Sequence, residues 1–229
     1  MPSSPSKSKD LLPDILKVMA KDPFVISDTH FFDDKPFRLE PLRRRLAKTR
    51  VGVDRLILKK LKNSNPLLHL GDVIVEDATD KAVRQYATDL GSLLHNIKKI
   101  LVIGNHDKAF GTLFRDTGWL VVSHGINLTV DPPLEYKDAP PFLLTRVSGS
   151  RVFFSHEPVL RPPWRPVAHS RVVKHLTFWF NNLQADINVH GHVHSKTIPH
   201  PLFCNVSAEV VPGPLLRVSH LVVPAQPWL

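Results

Sequence analysis

Five short polar strings in this chain carry residue types that bind metal ions or move protons. They are Asp28-Thr29-His30, Gly71-Asp72, Gly104-Asn105-His106-Asp107, Ser155-His156-Glu157 and Gly191-His192-Val193-His194. Carboxylate, amide oxygen and imidazole suit borderline divalent metals such as manganese, iron, zinc, nickel and cobalt. Cys204 is the sole cysteine, so a thiolate cluster and an internal disulfide are both excluded. That usage predicts a reducing, cytoplasmic setting. Asp28 and His30 are two residues apart, as are His192 and His194, so an extended backbone puts each pair on one side. A carboxylate such as Asp72 can bridge two ions. Two such ions about 3.5–4 Å apart activate a hydroxide and clamp the oxygens of an in-line displacement at phosphorus. A nearby imidazole can protonate the leaving oxygen.

These strings need strand ends to hold them, and the apolar pattern supplies strands. Phe24-Val25-Ile26 runs into Asp28, Leu67 to Leu70 into Asp72, and Ile100 to Ile103 into Asn105. Val152 to Ser155 leads to His156, and Ile187 to His190 leads to His192. Ligands bind at the carboxyl edge of strands in α/β sheets. Further strands are predicted over 126–130, 143–147, 203–211 and 215–223. Helices are predicted over 42–61, with Gly52 as a break or kink, and over 79–94 and 171–183. Residues 1–22 read as a polar tail and a short helix, with Pro13 in its first turn. Residues 23–229 read as one α/β domain with mixed sheets.

The ordered set D-x-H, G-D, G-N-H-D, S-H and G-H-x-H resembles the calcineurin-like metallophosphoesterase superfamily. The resemblance runs from about Phe24 to about Val211. Ser27-Asp28-Thr29-His30-Phe31, His69-Leu70-Gly71-Asp72, His190 to His194 and Cys204 to Glu209 look most like its small bacterial, archaeal and phage members. It implies a four-layer αββα sandwich, two mixed sheets packed together with helices outside. It also implies two divalent cations, with manganese favoured. Asp28, His30 and His194 would hold one ion, and Asn105, His156 and His192 the other. Asp72 would bridge them, and His106 would be the general acid. The larger phosphatases of the family place an acid and then an arginine after the bridging aspartate. Here those positions are Val75 and Glu76, which leaves Glu76 or Asp77 as stand-in partners for His106 and argues against the phosphoprotein-phosphatase branch.

The chain of 229 residues has a net charge of +9, which suits an anionic partner. The run Arg43-Arg44-Arg45, Lys48, Arg50, Arg55, Lys59, Lys60 and Lys62 is either a solvated helix face or a nucleic-acid surface. Arg161, Trp164 and Arg165 sit in a proline-rich loop after His156, either as substrate contacts or as packing. No apolar run is long enough to span a bilayer. His69 and His190 are expected to pack behind the site, and Asp107 to orient its turn. The reading is a phosphoesterase acting on phosphodiesters of nucleotide or nucleic-acid type. The alternatives are a phosphomonoesterase on a small metabolite and a non-catalytic interaction module on the same fold.

Overall fold

The computed structural model describes residues 11–74, 81–159, 170–196, 200–211 and 215–221. Alternating burial within short strands sets the architecture, because successive side chains point to opposite faces of a sheet. The first half carries α1 (Leu12–Met19), β1 (Phe24–Ile26), α2 (Asp34–Leu39), α3 (Pro41–Leu46), α4 (Arg50–Lys62), β2 (Leu67–His69), α5 (Lys81–Leu93), β3 (Lys99–Val102), α6 (Gly111–Asp116) and β4 (Leu120–Val122). The second half adds β5 (Gly125–Asn127), β6 (Leu134–Tyr136), β7 (Phe142–Val147), β8 (Ser150–Ser155), α7 (Arg171–Asn182), β9 (Ile187–His190), β10 (Phe203–Asn205), β11 (Leu216–Arg217) and α8 (Val218–Leu221).

Two mixed sheets result. One has the order β11-β1-β2-β3-β4, parallel except for β11, and the other the order β10-β9-β8-β7-β5-β6. In β2, Leu67 faces the outer helices and Leu68 the opposite sheet; in β8, Phe153 faces outward and Phe154 inward. The inter-sheet core contains Leu68, Ile100, Val102, Leu143, Phe154 and Val189, and Ile15 and Val18 of α1 join it. Helices α4, α5 and α6 cover the outside of the first sheet, and α7 the outside of the second. This is the sandwich of two helix-flanked sheets that the resemblance implied.

Three expectations need correction. The helix over 42–61 is two helices, and the break lies at 47–49 rather than at Gly52. Thr49 caps α4 by accepting the Gly52 N–H at 3.1 Å, so Gly52 belongs to the first helical turn. The strand over 203–211 stops at Asn205. Beyond it the chain crosses between sheets: the Val206 N–H donates to His190 O, and the Ser27 N–H donates to Val206 O. The strand over 215–223 is two residues long and turns into α8, where Ser219 N–H and Oγ–H both donate to the Asp22 carboxylate, at 2.8 and 2.6 Å. Residues 222–223 and 79–80 lie outside the described residues.

Candidate metal centre

All five polar strings sit just beyond the carboxyl ends of their strands: Asp28 and His30 after β1, Asp72 after β2, Asn105 after β3, His156 after β8, and His192 and His194 after β9. The backbone is forced there. Among the described residues nine non-glycine residues have a left-handed φ, and five of them are Asp28, His30, Asp72, His192 and His194. Such conformations cost of order 1–3 kcal/mol each and persist only where the surroundings impose them. Gly71 turns the chain at φ +87°, a conformation that suits a residue without Cβ. Gly191 permits a close crossing, since a Cβ there would collide with Ser27 Oγ and the Asp28 carboxylate.

The structure gathers two groups with ligand atoms within 4.8 Å of one another: Asp28, His30 and His194, and Asp72, His156 and His192. Asn105 joins the second group, its Oδ1 lying 3.0 Å from His156 Nε2 and 3.2 Å from His192 Nδ1. Asp72 stands between the groups. Its Oδ2 is 3.2 Å from His156 Nε2 and 3.7 Å from His30 Nε2. His106 lies to one side, with Nε2 3.9 Å from the same oxygen and its ring edge-on to His30.

The far sides of two of these ligands are fixed. His156 Nδ1 lies 2.8 Å from Leu70 O and His194 Nδ1 3.0 Å from Glu209 Oε1, while His30 Nδ1 has only the Asp33 carboxylate nearby, at 3.5 Å and, among the described residues, without a hydrogen bond. A ring nitrogen that donates to an oxygen leaves the other nitrogen with a lone pair turned inward. Asp28 Oδ2 accepts from the His192 N–H and from Ser207 Oγ–H, both at 2.8 Å. Asp28 Oδ1 and His30 Nε2 are buried and have no hydrogen-bond partner among the described residues. The Asp107 carboxylate accepts the N–H groups of Asp72, Val73 and Gly104, at 2.7, 2.9 and 2.9 Å.

Acceptor atoms thus converge at 3.0–3.2 Å around His156 Nε2, an arrangement that repels itself unless a cation sits among them. Titration behaviour reflects that demand. Burial alone would lower the His156 pKa, but the charge and hydrogen bond of Asp72, with Asp28 behind, push it up to about 10. Burial likewise opposes ionisation of Asp72, yet the charge and hydrogen bond of His156, with His30, hold it far below the usual carboxylate range. Burial, with the charge of Asp72, raises Asp107 to about 6. A proton on His156 supplies part of the positive charge that a metal would. The orphaned Asp28 Oδ1 and His30 Nε2 give the other group the same need, so the donor set fits two divalent ions.

Three residues behind the ligands escaped the sequence reading of the site. Arg43, read as part of an exposed or nucleic-acid-binding basic run, is 2% accessible. It donates to Asp28 O, to Thr29 O at 2.9 Å, and to Glu209 Oε1 at 2.5 Å. Glu209 stands in the noted Cys204–Glu209 string, which was its available signal. Asp33 had none. His69 and His190 lie behind the site as expected. Burial lowers their pKa values to about 3 and about 4, so both are neutral. His69 Nε2 lies 3.1 Å from Thr29 Oγ1. Arg161, Trp164 and Arg165, and the stand-in acids Glu76 and Asp77 after Val75, lie outside the described residues.

The family model for calcineurin-like phosphoesterases matches residues 24–196, and the chain belongs to that family of metal-dependent phosphoester hydrolases. Members depend on a dinuclear metal centre, and the two ligand groups are this chain's candidates for it. The chain is similar in fold to a protein of unknown function from Aquifex aeolicus, with 20% identity and a TM-score of 0.54 over 84% of this chain and 93% of that one. Weaker likenesses include the Pseudomonas putida nuclease MPE (21% identity, TM-score 0.35, 74% of this chain and 60% of that one) and a novel archaeal phosphodiesterase (15%, 0.37, 80% and 81%). No functionally curated sequence gives a significant match. Among the described residues no helix is long and apolar enough to cross a membrane.

Proposed function

We propose that the protein hydrolyses phosphodiesters at a dinuclear centre, with manganese as the favoured metal. Asp28, His30 and His194 hold one ion, Asn105, His156 and His192 hold the other, and Asp72 is shared. The observation that carries this reading is the position of Asp72 Oδ2, within 3.7 Å of a nitrogen from each ligand group. When bound, the two ions polarise the phosphoryl oxygens and activate water. The chain's own residues do the rest. Leu70 O and Glu209 fix the rings of His156 and His194, Asp33 lies beside His30, Asp107 holds the turns at Asp72 and Gly104, and His106 delivers a proton to the leaving oxygen. The His106 side chain is one quarter accessible, which suits a group that meets substrate.

Preference for a diester rests on room beside the metals and on charge. A cleft of about 300 Å³ adjoins Asn105 and His156, and its lining mixes Lys108 and His175 with the acids Asp138 and Glu157 and with apolar residues such as Pro141 and Val172. It accommodates an organic substituent on the phosphate, and the net charge of +9 favours anionic, nucleotide-like substrates. The test is to assay bis-aryl and mono-aryl phosphates with added Mn²⁺, using wild type and Asp72→Asn. Wild type should turn over the bis-aryl ester faster. Asp72→Asn should lose activity by about 10³-fold or more, because one carboxylate serves both ions, and elemental analysis should show metal lost from both positions. Preference for the mono-aryl ester would make the protein a phosphomonoesterase. Two bound metals with full turnover in the variant would sink the shared-ligand assignment.

A further inference from the structure

The cleft beside the metal centre has two walls of different origin. Asn105 and His156 form its inner end. One wall is the turn between β6 and β7, where Ala139 to Pro141 line it, and the other is α7, through Val172, His175 and Leu176. These three residues stand at i, i+3 and i+4 and so share one side of the helix. Both walls are anchored. Ala139 and Leu176 are buried and belong to one apolar cluster with Phe142, Leu144 and Phe153 on the outer side of the second sheet. The Tyr136 ring, at the base of the turn, lies 4.5 Å from that of Trp179 on α7. Ser170 caps α7 by accepting the Val173 N–H at 3.3 Å. Packed elements therefore hold the recess open, as they do in most ligand pockets.

The lining chemistry narrows the occupant. A sugar or glycerol group between the apolar walls would lose water from its hydroxyls without gaining partners. A second phosphate is disfavoured by charge. Lys108 is the one lysine or arginine in the lining among the described residues, against the acids Asp138 and Glu157. Ser170 Oγ–H donates to Glu157 Oε2 at 3.1 Å, which holds that carboxylate without neutralising it. A saturated alkyl chain would suit the walls but make no use of these donors and acceptors. A nucleobase matches both, because its faces stack on rings and apolar groups while its edge carries donors and acceptors. His175 brings the aromatic ring of the lining, and histidine is among the side chains on which bases stack. The volume of about 300 Å³ is at the small end of ligand pockets. It suits one nucleoside rather than two.

We infer that the cleft seats a single nucleoside of the phosphodiester, with its base between Pro141 and Val172, and that Val172 and His175 determine this specificity. The inference rests on the diesterase reading of the metal centre and narrows its substrate class to esters of nucleotides. The other ester group lies outside the cleft and is recognised weakly.

Two diesters with the same leaving group test it on the full chain loaded with Mn²⁺: the nitrophenyl ester of thymidine monophosphate, and nitrophenyl methyl phosphate. The shared leaving group keeps the chemical step alike, so the ratio of their kcat/KM values reports on the nucleoside. Wild type should favour the thymidine ester at least about tenfold, the binding of one base being enough for that. Val172→Glu puts a carboxylate in the wall, at a first-turn position of α7 where an acid is tolerated. The ratio should fall about tenfold. His175→Ala removes the ring from an exposed helical position, and the ratio should fall about fivefold or more, the measure of one lost stacking contact. Both esters are assayed on one sample, so partial unfolding of a variant scales both rates and leaves the ratio intact. A wild-type ratio near one, or a wild-type preference that neither variant reduces, would overturn the inference and leave the diesterase reading standing. Turnover of nitrophenyl phosphate with neither diester cleaved would overturn the diesterase reading, and this inference with it.

Discussion

His156 is where a proton and a metal compete most directly. Its pKa near 10 arises because burial is outweighed by Asp72 and Asp28. A histidine whose folded pKa is raised contributes stability that is complete below its ordinary value near 6.5 and is lost as pH rises through about 10. At pH 8 the ring is therefore protonated in protein without metal. Ligation needs the lone pair on Nε2, so loading metal at pH 8 must release that proton. Calorimetric titration of Mn²⁺ in two buffers of different ionisation enthalpy should report at least one proton released per protein. A count of zero would remove His156 from the ligand set. His106 makes a different prediction. His106→Ala should slow esters with poor leaving groups by about 10²-fold or more and activated aryl esters much less, since only the former need protonation. Equal losses on both would count against an acid role. The seven candidate ligands were legible because each lies in a local string of distinctive residue types. Asp33 and Glu209 were not, because a carboxylate that orients a ring looks in sequence like any other acid.

At the scale of elements, the short helix α3 is a strut for the site. It carries Arg43 into the interior, where the guanidinium holds the carbonyls of Asp28 and Thr29 and pairs with Glu209, itself 3% accessible. Glu209 in turn faces His194. One helix thus ties the loop after β1 to the crossing segment after β10. In the sequence this arginine stands in a basic run that reads as a solvated face or a nucleic-acid surface; its neighbours Arg44 and Arg45 are indeed exposed, but its own partner lies 166 residues away. Pattern within one helix does not reveal such a pairing. The same limit applies to the two-helix break at Thr49, where one capping hydroxyl outweighed a continuous apolar period. Arg43→Met should destabilise the protein by about 3–5 kcal/mol, the cost of leaving a buried carboxylate without its partner. Arg43→Met/Glu209→Gln should recover part of that loss, since the stranded charge is gone. Denaturant unfolding of the three proteins checks this. A double variant no more stable than Arg43→Met would mean that the carbonyl contacts, not the ion pair, carry the effect.

For the whole molecule, the centre straddles both sheets. Asp28, His30, Asp72 and Asn105 follow strands of the first sheet, and His156, His192 and His194 follow strands of the second. Each ligand group takes members from both, so bound metals would staple the sheets across the end of their shared core. That core is apolar and built from strands only three to six residues long apart from the two-residue β11. Strand-helix alternation made the mixed α/β class legible, and the sandwich followed only from the family resemblance that the polar strings carry; β4 and β6 were missed because they are short runs with no polar string behind them. Ligands that bind only the folded state stabilise it by about 2.7 kcal/mol at a hundred times Kd. Chelation should therefore lower the Tm, and the drop should be a larger share of the remaining stability when the core is weakened. Phe154, fully buried between the sheets, is the residue to truncate. Phe154→Ala should cost about 3–5 kcal/mol, and added Mn²⁺ should restore part of the loss in Tm without restoring the core. If metal stabilises wild type and Phe154→Ala but leaves Asp72→Asn unchanged, the staple runs through Asp72. If chelation leaves the wild-type Tm where it was, the folded state holds no metal in preference to the unfolded one, and the dinuclear assignment itself falls.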